Sequence, residues 1–188
     1  MKTYPPFIEF PKITRLSRDM IITEKIDGEN VHIHISDDGE IFAASRTQWI
    51  EPGTGPKGFA AWVYDHKEEL LTLGPGDSSG EWWGSGIKRG YGLQKGEKRF
   101  SLFNVHRWKD GGVDQRPACC GVVPILYTGP FDTAKVDEIL AELAIHGSYA
   151  SPGFMNPEGV VVFHTAGSYL FKKTIKNDEK PKSLAEPV

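Results

Sequence analysis

Thr23-Glu24-Lys25-Ile26-Asp27-Gly28-Glu29-Asn30 is the stretch on which the reading of this chain turns. Met20 to Ile26 reads as the end of a β-strand, and Val31-His32-Ile33-His34-Ile35 alternates apolar and polar residues with a strict period of two. Asp27-Gly28 between them is a turn signal, so the expected local structure is strand, tight turn, strand. Lys25 then projects from a rigid element just before the turn. A lysine in that place acts as a nucleophile only if its amine is neutral part of the time, which burial or a neighbouring cation or metal arranges. In a plain surface hairpin it is a solvated charge.

Composition bounds what surrounds this stretch. A chain of 188 residues, 39% hydrophobic and 11% aromatic, has enough apolar surface for one domain with one substantial core but hardly two. A net charge of -3 argues against a protein that coats nucleic acid by bulk charge, while leaving room for a local basic groove. Cys119 and Cys120 are adjacent, which suits neither a disulfide framework nor a zinc site and points to a reducing compartment. No basic flank precedes an apolar run, and no stretch has the length of a membrane span. A soluble, cytoplasmic protein without a membrane partner is expected.

Outward from the lysine, Met1 to Arg18 is rich in proline and aromatics and suits an extended arm packed onto the domain. Ile41 to Thr47 reads as a third strand with Arg46 near its end, and Phe59 to Leu71 as an amphipathic helix. Gly74 to Gly80 reads as a flexible loop leading into Gly80-Glu81-Trp82-Trp83, whose glycines either admit a ligand or mark a bulged strand. Arg99 to Trp108 reads as a central strand buried on both faces, Lys109 to Pro117 as a polar turn and Val122 to Tyr127 as a short strand. Thr133 to His146 is the clearest helix, with Asp132 as its N-cap. Glu158 to His164 and Ser168 to Ile175 read as a hairpin, and 177–188 as a frayed tail beyond a domain of residues 1–176.

The order of these pieces is itself informative: Lys25-x-Asp27-Gly28, Ser45-Arg46-Thr47, Gly80-Glu81-Trp82, Phe100 to Val105, Glu158-Gly159-Val160-Val161, then Lys172-Lys173. This series resembles the motif set of the covalent nucleotidyltransferases, that is ATP-dependent RNA and DNA ligases and mRNA capping enzymes, and is most similar to the phage-type RNA ligases. The resemblance covers roughly Ile21 to Ile175. It implies an α+β fold of antiparallel β-sheets with flanking helices, an ATP-grasp-like adenylation domain, with no room after Ile175 for an appended OB-fold.

The resemblance also implies roles. Lys25 is the nucleophile that attacks the α-phosphorus of ATP, forming lysyl-AMP that is passed to a polynucleotide 5′-phosphate and displaced by a 3′-hydroxyl, as in RNA repair. Glu24, Asp27 and Asn30 join the nucleotide-binding set, Arg46 binds phosphate or the incoming 5′-end, and Glu81 binds the ribose. Phe103 stacks on adenine, although the apolar strand around it fits burial as ordinary core nearly as well. Glu158 contacts Mg2+ or Mn2+, as suits a hard oxygen ligand. Lys172 and Lys173 are adjacent where the family usually spaces two lysines one residue apart, so period two sends them to opposite faces, with Lys172 toward the nucleotide. Asn104 stands where those ligases usually carry aspartate. The implied partners are RNA ends or a nicked duplex, and a partner protein that supplies end recognition. GTP-dependent capping, and a nucleotide- or nucleic-acid-binding module in which Trp82, Trp83 and Trp108 stack on bases, are the competing readings.

Overall fold

The computed structural model describes residues 3–109 and 115–179. Its first two strands, β1 (Asp19–Lys25) and β2 (Glu29–Ile35), are not a hairpin. β1 belongs to a four-stranded sheet in the order β10-β9-β1-β8, and β2 to a six-stranded sheet in the order β4-β3-β2-β5-β6-β7. The remaining strands are β3 (Ile41–Ser45), β4 (Trp49–Ile50), β5 (Gly76–Gly84), β6 (Lys98–Leu102), β7 (Cys120–Val122), β8 (Ile125–Pro130), β9 (Gly159–His164) and β10 (Tyr169–Thr174). Asp27-Gly28 has the letters of a hairpin turn, but β1 is paired on both sides by β8 and β9, and β2 by β3 and β5. With no free edge between them, the two strands diverge into different sheets. Pairing is antiparallel except between β6 and β7, a parallel pair joined by the long crossover such a pair requires.

Gly28 makes the crossing between sheets sterically possible. A Cβ on it would lie 2.5 Å from the Trp82 carbonyl oxygen and 2.9 Å from Trp83 Cβ. Gly80 serves the same purpose inside β5, where a Cβ would meet the Phe100 ring at 2.4 Å. That close packing explains why Gly76 to Gly80 of the glycine- and serine-rich run expected to be a flexible loop form the first five residues of a nine-residue strand.

Each sheet buries one face under helices. α1 (Phe59–Asp65) and α2 (Lys67–Leu70) split the single expected helix at His66 and cover the six-stranded sheet. Phe59, Val63 and Leu70 pack there with Val31, Ile33, Trp82, Phe100 and Trp108. α4 (Thr133–His146) spans the expected residues, with Asp132 accepting from the Ala134 amide, and sets Val136, Ile139 and Leu143 against Met20, Ile22, Val160 and Val162 of the four-stranded sheet. Ile26, Trp83, Tyr91, Val105 and Val123 form a third cluster where the chain crosses between sheets. The chain therefore builds two sheet–helix cores and a joint, not one core. Trp82, Trp83 and Trp108 are each 2% exposed and belong to these cores, out of reach of a base.

Other expectations need correction. β6 ends at Leu102, because Asn104 accepts a hydrogen bond from the Arg107 amide and caps the short helix α3 (Val105–Trp108). Val122 to Tyr127 is divided between β7 and β8 in different sheets. The proline-rich arm does not pack down: Tyr4, Phe7, Ile8, Phe10, Ile13 and Leu16 are 71% to 90% exposed. Residues 110–114 of the expected polar turn, and 180–188 of the expected tail, lie outside the described residues.

Candidate active site

Lys25 ends β1, and the pleat decides which way it faces. Met20, Ile22 and Glu24 share the α4 face with Val160 and Val162, so Ile21, Thr23 and Lys25 take the opposite face with Val161. The six-stranded sheet alternates likewise: Val31, Ile33 and Ile35 face α1, and Asn30, His32 and His34 the other side, with Glu81 directly opposite Asn30. The two uncovered faces meet at the crossing Ile26–Gly28.

Four charged groups converge there. Lys25 Nζ donates to Glu158 Oε2 at 2.6 Å, with the lysine side chain 20% exposed and the glutamate 4%. The Gly28 amide donates to Glu81 Oε1 at 2.8 Å. Burial pushes the Glu81 carboxyl up to about 7, against the Gly28 hydrogen bond and the attraction of Lys25, while Glu158 and Asp27 repel its charge. Glu81 therefore feels the charges of Lys25, Asp27 and Glu158. A carboxyl about half protonated near neutral pH, beside a lysine–glutamate pair, is a site able to bind a polar, hydroxyl-bearing ligand and to receive anionic oxygens.

Asp27 supports this arrangement from below. Its amide donates to Tyr91 Oη at 2.8 Å, and its carboxylate receives Arg89 Nε at 3.0 Å. Arg89 Nη1 also donates to Asn156 O at 3.0 Å, and to Asn156 Oδ1 and Pro157 O at 3.2 Å each. One guanidinium thus ties the loop after Lys25 to the segment before Glu158. In the sequence Arg89 is one of two adjacent basic residues, Lys88-Arg89, in a glycine-rich run, and only the fold shows what it spans.

The other candidates divide. Phe103 is 38% exposed, not core: its amide donates to Ser79 O, and alternation from Ser101, opposite Glu81, sets the ring on the uncovered face. Lys172 pairs with Val161 and lies exposed on the Lys25 face. Lys173 pairs with Val160 and is bonded to Asp137 of α4, turned away from the site. Arg46 lies exposed in the turn between β3 and β4; continuing the register Val31–Ser45 sets it level with Asn30.

Glu24 is not brought to the site. It is 1% exposed on the α4 side, where its carboxylate accepts from Ser148 Oγ at 2.6 Å and from the Tyr149 and Ala150 amides at 2.8 Å each. Burial still raises its proton affinity against those three bonds. Buried on the α4 side, this carboxylate is not presented to the uncovered face.

A family model described as RNA ligase matches residues 18–176, most of the chain. The chain belongs to the RNA ligase family. Among solved structures, this RNA ligase family member is similar to an RNA ligase of Naegleria gruberi in a lysine-to-methionine variant with AMP and Mn, at 20% identity and a TM-score of 0.60. It is also similar to a lysine-to-alanine variant of that ligase with ATP and Mn (20%, 0.60) and to another lysine-to-alanine variant without ligand (19%, 0.58). In each case the match covers 91% of this chain and 57% of the other, so the chain spans little more than half the length of the ligases it resembles. At this identity the likeness shows a shared fold. A search of curated proteins finds no match. No described helix is long and apolar enough to cross a membrane.

Proposed function

We propose that this chain is the adenylation domain, residues 1–176, of an ATP-dependent RNA ligase and that Lys25 carries AMP as a covalent intermediate. The observation that carries the reading is the Lys25–Glu158 pair, set across from the partly neutral Glu81 where the uncovered faces of two sheets meet. The family membership and the Naegleria ligase structures with ATP or AMP and Mn support ATP and a divalent cation as the ligands.

In the first step the lone pair of the Lys25 nitrogen attacks the α-phosphorus, the bond to the bridging oxygen breaks, pyrophosphate leaves and the nitrogen gives up its proton. In the second, an oxygen of an RNA 5′-phosphate attacks the same phosphorus, the P–N bond breaks and the amine is reprotonated. In the third, a 3′-hydroxyl attacks the activated 5′-phosphate and AMP leaves. Gly28 and Glu81 position the ribose, the exposed face of Phe103 receives the adenine, and Lys172 and Arg46 neutralise phosphate charge. Arg89, through Asp27 and the 156–157 carbonyls, holds Lys25 and Glu158 at their spacing.

Glu158 is a buried hard-oxygen donor, and among the described residues no group of three or more His, Cys, Asp and Glu side chains forms a metal cage. Such a site fits Mg2+ or Mn2+ held by one carboxylate together with phosphate oxygens and water. A bound cation would neutralise phosphate charge and favour the neutral form of a neighbouring amine. A partner protein would contribute to recognition of RNA ends.

Incubation with ATP labelled in the α-phosphate, with Mg2+ or Mn2+, tests this. A covalent label that survives denaturation, is lost in Lys25→Ala and is not obtained from GTP is expected. Reversible binding alone, or label retained by Lys25→Ala, would overturn the proposal.

A further inference from the structure

Beyond the cleft, the uncovered face of the six-stranded sheet carries three aromatic rings in water: His34 on β2, Phe42 on β3 and Trp49 on β4. Their centroids lie 6.0 to 6.2 Å apart, and Trp49 meets the other two at 68° and 61°. Phe42 is 38% and Trp49 63% exposed. Tilted contacts leave ring faces free, and the core lies on the opposite face of the sheet, so these rings are not needed to pack the domain.

The register places the rings relative to the site. Trp49 lies opposite Ala44, Ala44 opposite His32 and His32 opposite Ser79, while Asn30 and Glu81 are one step along the same face. From strand and residue spacings, Trp49 is roughly 12 Å from Asn30. Arg46 stands in the connecting turn at the cleft end, between the site and the rings. Asp77, the carboxylate opposite His34, is bonded to His34 Nδ1 at 2.8 Å. An exposed aromatic sheet face, continuous with a nucleotide cleft and reached past an arginine, has the chemistry of a single-stranded RNA surface: bases on rings and backbone phosphate on a guanidinium.

We propose that Trp49 and Phe42, with His34 beside them, form a stacking platform for unpaired bases of the RNA strand whose 5′-phosphate meets the AMP carried on Lys25. This rests on the ligase reading of the cleft and extends it to a substrate subsite.

The test measures binding of a fluorescent, 5′-phosphorylated single-stranded RNA to the full chain and to Phe42→Ala/Trp49→Ala, over a range of salt concentrations. Base–aromatic stacking predicts a loss of about tenfold or more in affinity with an unchanged salt slope, because the phosphate contacts remain. Trp49→Tyr should restore most of the affinity, and an RNA with abasic positions near its 5′-end should bind both proteins alike. Covalent labelling from ATP should be unchanged in the double variant. Equal RNA affinity in the two proteins, or no binding by either, overturns the platform. So does unchanged RNA affinity with concentration-dependent self-association lost only in the variant, which would make the rings an interface between copies. Ring-dependent RNA binding in a protein that takes no label from ATP would uphold the platform and sink the adenylation reading.

Discussion

Arg89 bridges the two segments that carry the proposed nucleophile Lys25 and its carboxylate partner Glu158, so replacing it tests geometry rather than direct contact. Its Nε lies 3.0 Å from Asp27 Oδ2, and its Nη1 reaches three oxygens of Asn156 and Pro157 at 3.0 to 3.2 Å. The arginine and aspartate side chains are 11% and 12% exposed, so Arg89→Met breaks a buried pair and should destabilise the fold by about 3–5 kcal/mol. Arg89→Lys keeps a charge near Asp27 but lacks the fork that spans both segments, for a loss of about 2 kcal/mol. Freed from each other, Lys25 and Glu158 shift relative to a bound triphosphate, and a displacement near 1 Å costs about 100-fold in rate. Single-turnover labelling of Arg89→Lys with ATP, run below its melting temperature, should be slower by about that factor with the half-saturating ATP concentration little changed. A folded Arg89→Lys protein that labels at the wild-type rate would refute the reasoning. A change confined to the half-saturating concentration would place Arg89 on the nucleotide instead.

Gly28→Ala puts a methyl group 2.5 Å from the Trp82 carbonyl oxygen, and relief of the overlap should cost about 1–3 kcal/mol of stability and most of the labelling rate, read by urea denaturation and the same label assay. Glu81 holds a proton in the fold up to about pH 7 but loses it near its ordinary value when unfolded. Its contribution to stability therefore falls as pH rises from about 4.5 to 7 and is level above, by about 3 kcal/mol in all. Glu81→Gln should remove that slope, so the wild-type-minus-variant difference in unfolding free energy, measured from pH 4.5 to 8, should fall and then level; a flat difference counts against the buried carboxyl. Glu24→Ala strips the acceptor from the Ser148 hydroxyl and two amides, and should destabilise by about 3 kcal/mol or more in chemical denaturation.

Much of this molecule is readable from its letters where local periodicity and tertiary pairing agree. α4 with its Asp132 cap, the β9–β10 hairpin and the strand before Lys25 follow from spacing alone. The failures share a cause, which is that the deciding partner is distant in sequence. Asp27-Gly28 has the local signature of a hairpin, and only the pairing of β1 with β8 and β9 makes it a crossing between sheets. Gly76 to Gly80 looks like loop until the Phe100 ring against Gly80 explains the missing side chain. Phe103 could be core or platform by alternation, and the end of β6 at Leu102 leaves it exposed.

The candidate site shows the same division. The spacing Lys-x-Asp-Gly singles out Lys25, but that its amine meets Glu158, 133 residues on, is a property of the paired strands β1 and β9. Adjacency alone sends Lys172 and Lys173 to opposite faces, and Asp137 on α4 shows which lysine faces the helix. Glu24 sits beside Lys25 in sequence yet serves the loop at Ser148, because period two turns neighbours in a strand to opposite sides. Arg89 carried no legible signal, since its four acceptors lie 62 to 68 residues away.

The most direct test of the central claim is to map the adduct. After reaction with ATP and Mg2+, the protein is digested at neutral pH and its peptides are sequenced by mass spectrometry. AMP on the peptide spanning Thr23 to Asn30, attached at Lys25 through an acid-labile P–N bond, is the predicted result. AMP on another side chain, or an unmodified Lys25 in protein that has consumed ATP, would contradict it.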